Sequence, residues 1–346
     1  MHAFLGEHAL GHNRAAPPEK VVVFDEAQRA WDAEQVDRKR DVALKRSEAA
    51  HMLDVMERCE DWAVIVALVG SGQEIHDGEA GLPEWGRALA SSKENWVVLA
   101  SPEVLPPAES PPGGHLFSDS IPNHIALRLE HALHLEVSVR SPRAQRIADW
   151  VDLFLRHQAS EARRLLSGIQ GFSMVLTRDL EVARKWLRDR SRGERRCGLI
   201  ASSGARRLRA YGIELSSAFR HGYPYEKWFL NDPRDVRSSF QLEVAASQFE
   251  CQGLELDYTG LCWGGDLTID PLGGWNYRRF RGARWERVKG GQERAYLLNR
   301  YRVLLTRARE GMVIWVPQGR PLDPTLNPDL FDATAELFHQ CGVREL

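Results

Sequence analysis

Three uninterrupted apolar runs punctuate the first hundred residues: VVVF at Val21–Phe24, WAVIVALV at 62–69 and NWVVLAS ending at Ser101. Runs of this kind, rich in β-branched residues, predict strands buried on both faces, as in a parallel sheet. Residues 29–59 between the first two are polar and charged, with apolar positions such as Val36, Ala43, Leu53 and Met56, and read as helical. Residues 101–114, SPEVLPPAESPPGG, hold five prolines and two glycines, which deny both helix and ladder hydrogen bonds. A domain boundary or surface crossover is expected there. The alternation then resumes. Strands are predicted at 134–141, 171–177, 196–204, 256–264 and 312–317. The segments RAQRIADWVDLFLRHQASEARRLL, DLEVARKWLRDRSR and YLLNRYRVLLTRARE read as helices between them. Strands alternating with helices point to a doubly wound α/β architecture, whose chemistry lies beyond the carboxyl ends of the strands.

Composition narrows the setting. The 346 residues suffice for about two ordinary domains, and 43% apolar with 27% charged residues is usual for a globular chain. A formal net charge of −2 excludes a broadly basic coat but leaves room for local basic patches. Five scattered cysteines without a C-x-x-C pair point to reduced thiols in a cytosolic protein. No apolar run is long enough to span a bilayer, and no charged stretch followed by an apolar one suggests export.

The first candidate chemistry is Asp25-Glu26, which ends the first run. A strand running into two carboxylates can present one to Mg²⁺ and the other to an attacking water in phosphoryl transfer. Acids at a helix start, favoured by unpaired N–H groups, account for the pair equally well. The second run ends in VGSGQ, where Gln73 follows a Gly-Ser-Gly turn; it can contact a γ-phosphate or simply continue a glycine turn.

Later segments add a family pattern. VAASQFECQGLELDY (244–258) and NRYRVLLTRARE (299–310) resemble the fifth and sixth motifs of superfamily 1 helicases. LEVSVRS resembles the fourth, and SMVLTRDLEVARKWL the strand and helix that follow it. With FDEAQRAW as second motif and VGSGQ as third, the elements fall in family order from about residue 20 to 317. VVVFDEAQRAWD and GLIASSGARRLRAYGI are similar, more narrowly, to the Schlafen-group-3-like DNA/RNA helicase domain, a P-loop NTPase family.

The resemblance implies two RecA-like α/β lobes with mainly parallel sheets flanked by helices: an incomplete first lobe at 1–112 and a second at 113–346. It implies ATP and Mg²⁺ as cofactors and DNA or RNA, in single-stranded form, as partner. Asp25 would hold Mg²⁺, Glu26 activate water and Gln73 sense the γ-phosphate. Gly253 and Glu255 would lie near the nucleotide sugar, and Arg140 and Arg307 would be fingers neutralising the transferring phosphoryl group. A permanently charged planar fork matches phosphate oxygens. Solvated surface arginines are the plainer reading of both.

Two departures stand out. The third motif has Ser71 where these helicases commonly carry Asp. More important, no G-x-x-x-x-G-K-[ST] occurs anywhere in the chain. Such a loop wraps phosphates in backbone N–H groups, and its lysine and hydroxyl reach the β/γ oxygens and the metal. Three expectations follow: a shortened product of a longer gene, a core that takes its loop from a separate chain, or a nucleotide-independent binding module. GGWNYRRFRGARWERVKGGQER (273–294) interleaves Trp275, Tyr277, Phe280 and Trp285 with arginines and one lysine. It reads either as a single-strand track or as a basic insert whose aromatics pack on the domain. Arg178 fits a role at a helix start. His8/His12 and His131/His134 have helical spacing but no third ligand.

Overall fold

The computed structural model describes residues 2–9, 15–39, 46–70, 81–105, 115–117, 120–134, 142–270 and 273–346. It divides into two compact units, Met1–Val137 and Ser138–Leu346. The division falls later than residue 112, because a strand unforeseen in the sequence, IALRL, pairs with the strand at Trp96–Ala100.

In the first unit the described elements are α1 (His2–His8), β1 (Val21–Phe24), α2 (Ala33–Lys39), α3 (Glu48–Met56), β2 (Val64–Ala67), α4 (Gly81–Ser91), β3 (Trp96–Ala100) and β4 (Ile125–Leu129). Ser47 caps α3 by accepting the Ala50 N–H at 3.2 Å. The apolar stripe of α3, with Met52, Leu53 and Met56, then packs on Trp85 and Leu89 of α4. β1 pairs in parallel with β2, and β3 in parallel with β4, as two separate sheets. Val22, Phe24, Ile65, Trp96 and Val98 turn inward against this helical core.

Their neighbours turn outward, contrary to strands buried on both faces. Val21, Val23, Val64, Val66, Val97 and Leu99 are exposed, Val23 by 61% and Leu99 by 56%. Continuous apolar runs say that both faces avoid water; they do not supply the layer that covers the second face.

The second unit is a fully parallel six-stranded sheet. Its elements are α5 (Pro142–Leu155), α6 (Ala159–Ser167), β5 (Ser173–Thr177), α7 (Leu180–Arg190), β6 (Cys197–Ala201), α8 (Ser217–Gly222), α9 (Tyr225–Leu230), β7 (Ala245–Ala246), α10 (Gln248–Cys251), β8 (Leu256–Cys262), β9 (Leu267–Ile269), β10 (Trp275–Arg281), β11 (Arg284–Arg287), α11 (Gly291–Leu305), β12 (Ala308–Trp315), α12 (Pro328–Gln340) and β13 (Arg344–Glu345). The strand order is β13-β5-β12-β8-β6-β7. Alternate residues feed two cores. Ile200, Leu261 and Ile314 join α5, α11 and α12, while Leu199, Cys262 and Val313 join α7. The α/β architecture with parallel sheets flanked by helices is therefore present as expected. Aromatic stacking anchors the first core: Phe154 lies 4.4 Å from Phe338 between ring centres, and Trp263 meets Phe338 edge-on at 5.0 Å.

The helix expected to run through Glu310 ends at Leu305; Thr306 is its C-cap, and Ala308 already opens β12. Parallel pairing of β12 with β8, Ala308 opposite Leu256, outweighs the helix-forming character of the Arg and Glu residues. The strand expected at 134–141 falls largely outside the described residues. Among the described residues no helix is long and apolar enough to cross a membrane.

Candidate nucleotide and nucleic-acid sites

At the carboxyl ends of β1 and β2 the chain folds back on itself through backbone bonds. Leu68 N–H donates to Phe24 O at 2.9 Å, and Ala27 N–H to Leu68 O at 2.8 Å. This draws the Asp25-Glu26 turn toward the end of β2, alongside Gly70. Glu26 adopts a left-handed conformation, with φ 55°. Its carboxylate accepts Gln28 Nε2 at 2.6 Å, while Gln28 Oε1 accepts the Gly70 N–H at 3.0 Å. Gln28 is fully buried, so one amide ties the acidic turn to the Gly70 backbone after β2. Asp25 is exposed; its Oδ1 accepts the Glu26 N–H at 2.9 Å, leaving Oδ2 toward solvent.

Among the described residues no three His, Cys, Asp or Glu side chains come together to hold a metal. Asp25 and Glu26 place two adjacent carboxylates just beyond the carboxyl end of β1. Gln73 lies outside the described residues.

The second-unit motifs converge at the opposite end of their strands. Gly253 and Glu255 lead into β8, and Arg307 leads into β12, so these residues sit at the amino ends of the sheet rather than the carboxyl ends. The reason is topological: each belongs to the loop entering its strand. Here Arg143, Ala144, Ile147, Glu255, Thr306, Ala308 and Arg309 line an open cleft of about 240 Å³. That is below the ~300–1,000 Å³ of a typical small-molecule pocket, room for a sugar or one phosphate group but not for a whole nucleotide.

Arg309 reaches across the cleft, Nε to Glu255 Oε2 at 3.1 Å, and its side chain is 61% exposed. Arg307 is 5% exposed. Its Nε donates to Val303 O at 2.9 Å, and its Nη1 lies 3.5 Å from Leu254 O. Among the described arginines, Arg143 and Arg309 therefore line the cleft, while Arg307 braces the helix end against the loop before β8. Gly253 takes φ 79° at an exposed turn, a conformation that favours glycine. Beside it, both amide atoms of Gln252 are enclosed without a hydrogen-bond partner. Arg140 lies outside the described residues.

The carboxyl ends of β6 and β8 hold a polar cluster that the sequence did not announce. Asp266, fully buried, accepts Ser202 Oγ at 2.5 Å and Tyr301 OH at 2.7 Å. Burial pushes the Asp266 carboxyl up and the Tyr301 phenol well up. Two glycines make room for it: a Cβ on Gly204 would meet Asp266 Oδ2 at 2.5 Å, and one on Gly264 would meet Asp266 Oδ1 at 2.6 Å. The cluster is a tie between strands, closed to ligands. Arg178 is likewise structural, donating to Val316 O and Pro317 O at 2.8 Å and to Asp332 at 2.7 Å.

The basic segment is a hairpin, β10 turning into β11 through Gly282 and Ala283. Its aromatics face the protein. Trp275 is buried and donates to Leu155 O at 2.8 Å; Trp285 donates to Thr325 O at 2.8 Å and packs edge-on to Phe280 at 5.1 Å. Arg278 lies over Trp285, and Arg207 over Phe280.

A family model described as Schlafen group 3, DNA/RNA helicase domain, matches residues 3–318 of the chain. The match spans both units, including the acidic turn after β1, the loop before β8 and the junction between α11 and β12. No curated protein matches the chain.

Proposed function

Because the chain belongs to the Schlafen group 3 DNA/RNA helicase domain family, we propose that it is a helicase-type nucleic-acid-binding core carrying half of a magnesium–nucleotide site. The observation that supports this most is the Gln28 bridge, which holds Glu26 and Gly70 together at the carboxyl ends of two parallel strands. That is where open α/β sheets place their ligands. In this reading Asp25 holds magnesium, Glu26 orients water and the turn through Gln73 meets the terminal phosphate. Bound Mg-ATP would supply the phosphoryl group whose transfer drives movement on DNA or RNA.

The phosphate cradle itself is not in this sequence, since no Gly-Lys-Ser/Thr loop occurs. We therefore assign it to a strand–loop–helix unit outside these residues, on a longer form of the polypeptide or on a separate chain. The outward faces of β1, β2 and β3, with Val21, Val23, Val66 and Leu99 in water, support a missing covering layer. A second reading, a nucleotide-independent module derived from a helicase, is favoured by Arg307, whose guanidinium is committed to Val303 and enclosed.

Titration of the purified chain with a labelled single-stranded oligonucleotide, without and with Mg-ATP, separates the readings. Binding without ATP turnover is expected of the chain alone. Addition of a polypeptide carrying the phosphate loop should confer turnover under the first reading, and no such polypeptide should do so under the second.

A further inference from the structure

We infer that the β10–β11 hairpin is a phosphate-backbone contact that grips single-stranded nucleic acid by charge, without stacking on its bases. The inference rests on the reading of the chain as a nucleic-acid-binding core and names the surface that would do the binding.

Charge is concentrated here beyond anything the whole chain suggests. Between residues 275 and 290 six side chains are basic and one, Glu286, is acidic, although the chain carries a formal −2. The cross-strand register makes this costly for a merely structural hairpin: Arg281 stands opposite Arg284, and Arg278 opposite Arg287. Like charges in directly opposed positions destabilise a β-ladder.

Nearby carboxylates leave much of that charge unmatched. Arg279 has a close partner, Glu293 at 2.7 Å. Arg281 and Arg284 instead share Glu286, each at 3.8 Å, and Arg287 lies 3.8 Å from Asp270. These distances exceed hydrogen-bond range, and the three side chains are exposed, Arg284 by 82%. A guanidinium with open donors fits phosphate oxygens in its planar fork.

The aromatics decide the mode of binding. Phe280 stands opposite Trp285, between the Arg279–Glu286 and Arg281–Arg284 pairs; Arg207 lies over Phe280, while Trp285 lies under Arg278 and donates to Thr325 O. Each ring is half-buried with a guanidinium over one face, so the hairpin offers bases little open platform. What remains for a ligand is guanidinium charge, which reads backbone and not sequence.

The test compares the full chain with a triple variant, Arg281→Gln/Arg284→Gln/Arg287→Gln, and with a control triple on α7 and its end, Lys185→Gln/Arg188→Gln/Arg192→Gln. Anisotropy is followed with labelled oligothymidylate, oligoadenylate and poly-glutamate over a range of salt. Relieving like-charge pairs leaves the melting temperature unchanged or slightly higher. The hairpin triple should bind both oligonucleotides at least about tenfold more weakly, with the slope of log K against log[salt] reduced by about 2, or ~0.7 per lost contact. The control triple should bind like the parent. Equal affinity and slope in parent and hairpin triple would overturn the inference alone. Tighter binding of poly-glutamate than of either oligonucleotide, lost in the hairpin triple, would also overturn it and turn the surface to acidic protein segments. No oligonucleotide binding by the parent would overturn the underlying reading as well.

Discussion

Gln28 accepts the backbone N–H of Gly70 at 3.0 Å across 42 positions of sequence, and its other amide atom donates to Glu26 at 2.6 Å. One buried side chain thus fixes the acidic turn after β1 against Gly70 after β2. Gln28→Ala leaves the part-buried Gly70 N–H without its acceptor and should lower unfolding stability by about 1 kcal/mol. Gln28→Glu keeps an acceptor but sets a carboxylate against Glu26 and should cost at least as much. Urea denaturation gives both values, and amide exchange at Gly70 should quicken in each variant. An unchanged midpoint would remove the bridge from the account.

The two arginines of the α11–β12 junction should part company. Arg307→Ala removes an enclosed guanidinium bonded to Val303 and is expected to cost about 2–3 kcal/mol. Arg309→Ala breaks a solvent-facing pair with Glu255 and should change stability by less than about 1 kcal/mol. Thermal melts of the two variants check this. Equal losses would mean that Arg309 is as deeply engaged as Arg307.

Thiol chemistry offers a reading of the second core. Burial pushes the thiols of Cys251, Cys262 and Cys341 up to about 12, and that of Cys197 up as well. At neutral pH a thiol-reactive dye should label half-buried Cys59 quickly and the other four only on unfolding. The pH sign follows from linkage. An unfolded thiol ionises near 9, while the buried ones hold their protons to about 12. Their contribution is therefore whole below pH ~9 and falls as pH rises toward 12, by up to about 1.4 kcal/mol per unit for each thiol. Flat stability between those limits would contradict the burial.

The Asp266 cluster should be intolerant of small changes. Gly264→Ala sets a Cβ 2.2 Å from Ala205 Cβ and 2.6 Å from Asp266 Oδ1, so the backbone must move. A loss of about 1–3 kcal/mol is expected. Tyr301→Phe keeps the shape but removes the hydroxyl that donates to Asp266 and accepts the Gly264 N–H at 3.3 Å, with a loss of similar size. Denaturant titration of both variants measures it; neutral outcomes would mean the cluster does not tie β6 to β8.

Much of this organisation was legible as pattern. The runs at 21–24, 171–177, 196–204 and 256–264 all contain strands, since four or more apolar residues bounded by polar or glycine-containing segments leave little else. β4 escaped notice because IALRL is short, carries Arg128 and follows a proline-rich segment that looks like a boundary. The expected helix at 296–310 overruns because Arg and Glu suit a helix, whereas Ala308 pairs with β8 and Gly311–Trp315 pairs on both sides. Facing was the least legible property. Nothing in WNYRRFRGARWER says that Trp285 turns to Thr325 and Arg284 to water; that depends on which surface the hairpin lies against. Nor does a motif reveal that Glu255 and Arg309 meet at the amino ends of their strands.

The central claim is that this chain holds the acidic half of a nucleotide site and lacks the phosphate cradle. Magnesium-dependent ATP turnover by the purified chain, with single-stranded oligonucleotide present, tests it most directly. The account predicts oligonucleotide binding and no turnover above background; turnover that Glu26→Gln abolishes would contradict it.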